Sequence, residues 1–193
     1  MGQAKRRNAG VQKWLEGLSP EETQVADAAR RLITKFIDPS EATGMCYRLT
    51  YFLHLYLLEK GIKTVPVIGY VNDGTDDMFM SHAWLEYEGK KTDLTLARPE
   101  RPHLNPPGDI LIQDFPFRRG GKYTYHLAKT PAAVAVENAW LKDPQGAGIV
   151  RQKAVEHEAM NKRAESVAEM RSFLDGAPDG ITYDRFKSII GQP

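Results

Sequence analysis

Cys46 is the only cysteine in this 193-residue chain. It stands in "GMCYRL", at the head of an apolar run, and His82 and Asp93 follow in "SHAWLEYEGKKTDLT". Acyl transfer through a thioester needs a thiolate, a base to take and return its proton, and a third group to fix the tautomer and orientation of that base. Cys46, His82 and Asp93 supply those three roles in that order. Each also has a plainer account. Free cysteine is among the residues that most often simply fill a core, and a histidine and an aspartate can be an ordinary surface pair on a hairpin. The elements that carry the three residues decide between these accounts.

Thr43 reads as the N-cap of a helix over about 43–60, which puts Cys46 in the first turn. There the unpaired N–H groups and the positive end of the helix dipole favour a thiolate and can hold an oxyanion. The helix is apolar nearly all round, with Met45, Leu49, Phe52, Leu53, Leu55, Tyr56, Leu57 and Leu58. Such a helix is covered on several sides and belongs at the centre of the fold. Gly61 suits its C-terminal end.

In an extended 78–88 segment, alternation puts Met80, His82, Trp84 and Glu86 on one face. A two-residue loop at Glu88-Gly89 pairs Tyr87 with Lys90 and Trp84 with Asp93. His82 and Asp93 are then diagonal neighbours on one face, about 7–8 Å apart at the backbone and within side-chain reach. A three-residue loop would turn Asp93 to the opposite face. Trp84 becomes a substrate-site candidate that shields the thiol from water, with plain strand packing as its other reading.

The surrounding pattern runs helix, strand, helix. "SPEETQVADAARRLITKF" (19–36) opens with a capping serine, a proline and acids, and its apolar residues recur at three- and four-residue steps. Strand-like runs follow over 63–71, 78–88, 90–96, 109–115 and 122–128, with the proline-rich "ARPERPHLNPPG" between the third and fourth. From Pro131 on, the pattern is helical: "PAAVAVENAWLKD", a longer segment over about 148–174, and a last helix near "TYDRFKSII". In the long segment Val155, Met160, Val167, Met170, Phe173 and Leu174 form a stripe expected to cover the core. This order argues for an α+β fold, a central buried helix packed on an antiparallel sheet with additional C-terminal helices. The expected divisions are a basic, mobile or partner-binding arm (1–18), a core (19–130) and a helical extension (131–193).

Residues 41–97 resemble the transglutaminase-like (papain-like) cysteine enzyme superfamily. The likeness rests on a cysteine opening a central helix, "LLEKGI" leading into a strand, then His-Ala-Trp with a hairpin and an aspartate in "TDLT". It is nearest to the small bacterial branch that includes proteases trimming leader peptides from lasso-peptide precursors. The resemblance implies a transglutaminase-like core, cysteine-centred acyl transfer or hydrolysis of a peptide or protein substrate, Cys46 as nucleophile, His82 as base and Asp93 as orienter. A second reading keeps the fold without catalysis, as a binding module acting through its N-terminal arm or C-terminal helices in a phage or bacterial complex.

Other functions find little footing. Twenty-six basic and 25 acidic residues leave a net charge of +1, so no whole-molecule field draws the chain to nucleic acid or a membrane surface. No apolar run approaches the roughly 18 residues of a spanning helix, and none follows the basic N-terminus to make a signal peptide. A lone thiol fits a reducing compartment, and a cytoplasmic location is expected. No histidine pair has zinc spacing, "NDGTDDMF" lacks the final glutamate of a calcium loop, and no phosphate-cradling glycine loop is present. No metal or other cofactor is expected. His54 lies about 12 Å beyond Cys46 along its helix, too far to serve as its base, and reads as packed or hydrogen-bonded. His103 and His126 carry no role, and His157 reads as solvated. Gln12 and Gln24 are the candidates for a second oxyanion donor.

Overall fold

A computed structural model describes residues 2–192, with side chains from Ala9 onward. Helices α1 (Gly2–Glu16) and α2 (Pro20–Leu32) open the chain. The segment expected as a mobile arm is therefore helical, and Trp14 fastens its end by stacking on Phe115 at 4.5 Å. The side chains of Lys5, Arg6 and Arg7 lie outside the described residues. Ser19 starts α2 with a capping box, its hydroxyl accepting the Glu22 N–H while the Glu22 carboxylate accepts the Ser19 N–H at 2.7 Å.

The helical pattern expected through residue 36 loosens after Leu32 into a π-helical turn, Ile33–Ile37, in which the Asp38 N–H reaches back to the Ile33 carbonyl. A short turn, α3 (Asp38–Ser40), follows. Pro39 has no N–H to continue the ladder, and Glu41 leaves it in the left-handed region at φ 51°.

The central helix, α4, spans Cys46–Leu58. It starts later than the sequence suggests: Met45, not Thr43, is the N-cap, and no side chain caps the first turn. The reason is Gly44, whose φ of +65° redirects the chain between Thr43 and the helix. Every residue from Leu49 to Leu55 is buried, as an all-round apolar helix requires.

Four strands, β1 (Val65–Asn72), β2 (Met80–Tyr87), β3 (Lys90–Thr92) and β6 (Thr124–His126), form an antiparallel sheet in the order β3-β2-β1-β6. β2 and β3 pair Tyr87 with Lys90 and Leu85 with Thr92 across Glu88-Gly89. That is the expected register, and both turn residues have positive φ (49° and 74°), as a two-residue turn matched to strand twist demands. The third expected strand stops early, because Asp93 leaves β3 to bridge Leu111.

The run 109–115, expected as one strand, is a hairpin of its own: β4 (Ile110–Ile112) and β5 (Phe115–Arg118). Gln113 and Asp114 turn it at φ 51° and 62°. Bonds from the Gln113 N–H to Thr92 Oγ1 (3.1 Å), from Gln113 Nε2 to the Glu22 carbonyl (2.6 Å) and from the Asp114 N–H to the Lys91 carbonyl (2.7 Å) hold that turn.

The C-terminal third forms α5 (Pro131–Trp140), α6 (Pro144–Ala164), α7 (Val167–Asp175) and α8 (Tyr183–Gly191). The single long helix expected over 148–174 is thus two, separated at Ser166, whose side chain caps α7. Met160, Met170 and Leu174 join Tyr183, Phe186 and Ile190 in the same core cluster as Leu32, Phe52 and Leu85. Val155 and Val167, expected in that stripe, are exposed. The architecture is α+β, with α4 packed on β2 of an antiparallel sheet and the later helices closing the core. No described helix is long and apolar enough to cross a membrane.

Candidate functional site

Asp93 is the most firmly held side chain of the three. Its backbone exchanges both hydrogen bonds with Leu111, at 2.9 and 2.8 Å, so the β4–β5 hairpin fixes it from the side opposite β2. Its carboxylate is wholly buried and accepts four bonds. Oδ2 takes His82 Nε2 at 2.7 Å and the Tyr125 hydroxyl at 2.9 Å, while Oδ1 takes the Thr95 N–H at 3.0 Å and the Thr95 hydroxyl at 3.1 Å. Burial alone would raise this carboxyl, but the charge and hydrogen bond of His82, with Thr95 and Tyr125, hold it below the usual range. The Tyr125 phenol moves the other way, raised by burial and by the Asp93 charge.

His82 is buried beside it. Burial pulls the imidazole down, yet the Asp93 carboxylate outweighs it, and with a further contribution from Cys46 the ring is pushed up to about 10. The Cys46 side chain lies close enough to the ring to add to that upward push. Because Nε2 is taken by Asp93, Nδ1 is the nitrogen left to meet the thiol. The structure joins His82 to Asp93 directly and brings Cys46 near the same ring, each from a different place: the middle of β2, the exit of β3 and the first turn of α4.

Cys46 is half-buried and opens α4. The first intrahelical bond is Leu49 N–H to the Met45 carbonyl at 2.9 Å, so the N–H groups of Cys46, Tyr47 and Arg48 precede it, the place where a helix favours negative charge. Over Gly44 lies the exposed carboxylate of Glu100, from the loop after β3; a Cβ on Gly44 would collide with it.

Trp84 forms a wall rather than an exposed face. It is 2% exposed, donates Nε1 to Glu86 at 2.8 Å and meets Tyr125 edge-on at 5.1 Å between centroids. Gly69 on β1 makes room for it, since a Cβ there would come within 2.5 Å of the indole. Gln12 is bonded to Glu16 on α1, and Gln24 is exposed on α2. The structure brings neither into the hydrogen bonding described around Cys46 and His82.

His54 is buried against the Thr64 hydroxyl at 2.9 Å, as expected of a packed helix histidine. His157 is not the solvated residue expected from its charged helix. It bonds Ser81 at 2.5 Å and lies flat on the Tyr70 ring, because α6 docks along β1.

Sequence reasoning passed over Thr95 and Tyr125. Thr95 had a local signal, since Asp-x-Thr readily forms a side-chain-to-backbone turn two residues on. Tyr125 had none, because its place follows from β6 pairing with β1. Among the described residues no group of histidine, cysteine and carboxylate side chains could hold a metal ion. Compared with known proteins, the chain matches no family model, no curated protein and no solved structure.

Proposed function

We propose that the protein is a cysteine-dependent acyl-transfer enzyme, a peptidase or amidase working through a thioester on Cys46, built on a transglutaminase-like core. The observation that carries this reading is the buried His82–Asp93 bond of 2.7 Å, with Cys46 near enough to act on the same ring. The resemblance of residues 41–97 supplies the same three roles independently of that geometry.

In this mechanism His82 holds the proton of the Cys46 thiol, and the thiolate attacks the acyl carbonyl. The developing oxyanion faces the uncapped N–H groups of the α4 first turn. The tetrahedral intermediate collapses with cleavage of the C–N bond, and His82 gives its proton to the leaving amine. Water or a second amine, deprotonated by His82, then attacks the thioester carbonyl and releases the thiol. Asp93 stays ionised throughout and keeps Nε2–H engaged, so that Nδ1 faces sulfur.

The non-catalytic reading has one observation in its favour: α5 carries Val134 and Trp140 at 43% and 41% exposure, a surface a partner could cover. One experiment separates the two. The rate of Cys46 alkylation by iodoacetamide is measured against pH in the wild type and in His82→Ala. Catalysis predicts a wild-type thiol that reacts at a pH well below about 8.5, where a free cysteine is still protonated, and loses that reactivity in the variant. A thiol indifferent to His82 overturns the enzymatic reading.

A further inference from the structure

Each member of the Cys46–His82 pair has a sequence neighbour in a second contact between the same two elements. Tyr47, the next residue of α4, and Ser81, the preceding residue of β2, share a hydroxyl–hydroxyl bond of 2.7 Å. Ser81 Oγ also meets Nδ1 of His157 on α6 at 2.5 Å, and Asn161, one turn further along α6, donates Nδ2 to His157 Nε2 at 3.0 Å. Tyr70, opposite Ser81 on β1, stacks on His157 with centroids 4.3 Å apart and planes 17° apart. Four elements thus converge one residue away from the sulfur and the imidazole.

The roles within this chain are ordered. An amide nitrogen can only donate, so His157 accepts at Nε2 and, being neutral, donates from Nδ1 to Ser81. Burial, helped by the charge of Lys129, holds His157 below its ordinary value, which keeps it neutral near pH 7. The middle of α4 needs no such help, since Leu49 and Leu53 are buried in one apolar cluster with Ala83 and Leu85 of β2. The first turn does, because no side chain caps it and uncapped ends fray. Two tethers directly after Cys46 hold it instead: Tyr47 to Ser81, and Arg48 to Asp179 at 2.7 and 3.0 Å.

We propose that Ser81, with Tyr47, His157 and Asn161, positions the catalytic pair: through this chain helix α6 sets where the first turn of α4 meets β2, and so sets the approach of Cys46 to His82. The inference rests on the acyl-transfer reading above. Ser81 and His157 are positioning residues that act through Tyr47, and α6 becomes part of the working site rather than an appendage to it.

The test uses the full-length chain and follows Cys46 alkylation by iodoacetamide against pH, with thermal melting as the control for folding. In Ser81→Ala the rate at pH 7 is expected to fall about tenfold, within the hundredfold that an ångström of misplacement can bring, and the profile to move to higher pH. Ser81→Thr, which keeps the hydroxyl, is expected to restore most of the rate. Tyr47→Phe removes only the α4 end of the chain and should match Ser81→Ala. In a His82→Ala background, Ser81→Ala should change nothing further, because there is no pair left to align. A merely structural role would lower the melting temperature and leave the pH profile in place. If Ser81→Ala and Tyr47→Phe keep the wild-type profile while His82→Ala abolishes it, the positioning role is overturned and the acyl-transfer reading stands. If the wild-type thiol is as inert as that of His82→Ala, both fall together.

Discussion

His82 and His54 are buried to nearly the same degree, 6% and 8% exposed, yet they are driven in opposite directions. His54 has one polar neighbour, the Thr64 hydroxyl, and burial lowers it. Burial pulls His82 down as well, but the Asp93 carboxylate turns the balance and raises it to about 10. A hydroxyl satisfies a hydrogen bond, whereas a carboxylate also supplies a charge where little water screens it. Burial alone therefore does not make a histidine a base fit for a thiol. The buried partner does, and the hairpin that delivers Asp93 matters as much to the chemistry as the histidine itself.

The largest effect should come from removing that charge. Asp93→Asn keeps an acceptor for Nε2–H and leaves His82 in the position of His54, with burial in command. Cys46 alkylation near pH 7 is expected to drop roughly a hundredfold or more, as when the orienting acid of a triad is neutralised. The dependence of stability on pH should also change sign, measured in a Cys46→Ala background so that no thiol titrates alongside. With Asp93 present, the folded-state value of His82 is raised. Its contribution is then complete below about 6.5 and is lost as pH rises towards the folded value, about 10 in the intact chain. In the Asp93→Asn variant the folded-state value falls below the unfolded one, so the contribution is complete above about 6.5 and is lost as pH falls through the lower value. Urea denaturation at pH 6, 7 and 8 reads this directly. An unchanged slope would mean that Asp93 does not govern His82.

The converse experiment builds a second charged histidine. Thr64 is 7% exposed and within 2.9 Å of His54 Nδ1, so Thr64→Asp puts a carboxylate where the hydroxyl was. His54 should move from below its ordinary value to above it, followed as the titration of its ring protons by NMR. The thiol should be unaffected, since His54 stands far along α4 from Cys46. If His54 remains low beside a carboxylate, the contrast with His82 needs another cause.

Much of the working geometry was legible because it depends on short-range rules. The all-round apolar character of α4 announces a central helix. Alternation along β2, with a two-residue loop, fixes which face Asp93 shares with His82. What escaped is held from far away in the chain. The turn at Gln113-Asp114 has neither glycine nor asparagine, and it exists because Thr92, Glu22 and Lys91 bind it. A short apolar run broken only by Gln113 and Asp114 therefore read as one strand. Thr43 has the side chain of a cap but is displaced from the role by Gly44. His157 looks like a surface residue because nothing in α6 itself reveals that the helix lies along β1. The His82–Asp93 contact was thus readable where hairpin geometry controls it, and its supports were not.

The smallest expected effect tests that hairpin without touching the site. Glu88 occupies the first position of the β2–β3 turn at φ 49°, a conformation that is strained for glutamate and that asparagine tolerates far better. Glu88 is exposed, so its side chain gives up little packing. Glu88→Asn should stabilise the fold by about 0.5–1 kcal/mol, seen as a higher urea midpoint at constant m-value. Because the register stays the same, His82 should titrate as before and Cys46 should keep its alkylation profile. A shift in either would show that the turn is coupled to the Asp93–His82 bond by more than register. A loss of stability would show that the strain at Glu88 is compensated by contacts of its own side chain. The expected result, a firmer hairpin around an unchanged histidine, would separate the part of the sequence that sets the register from the carboxylate that sets the charge.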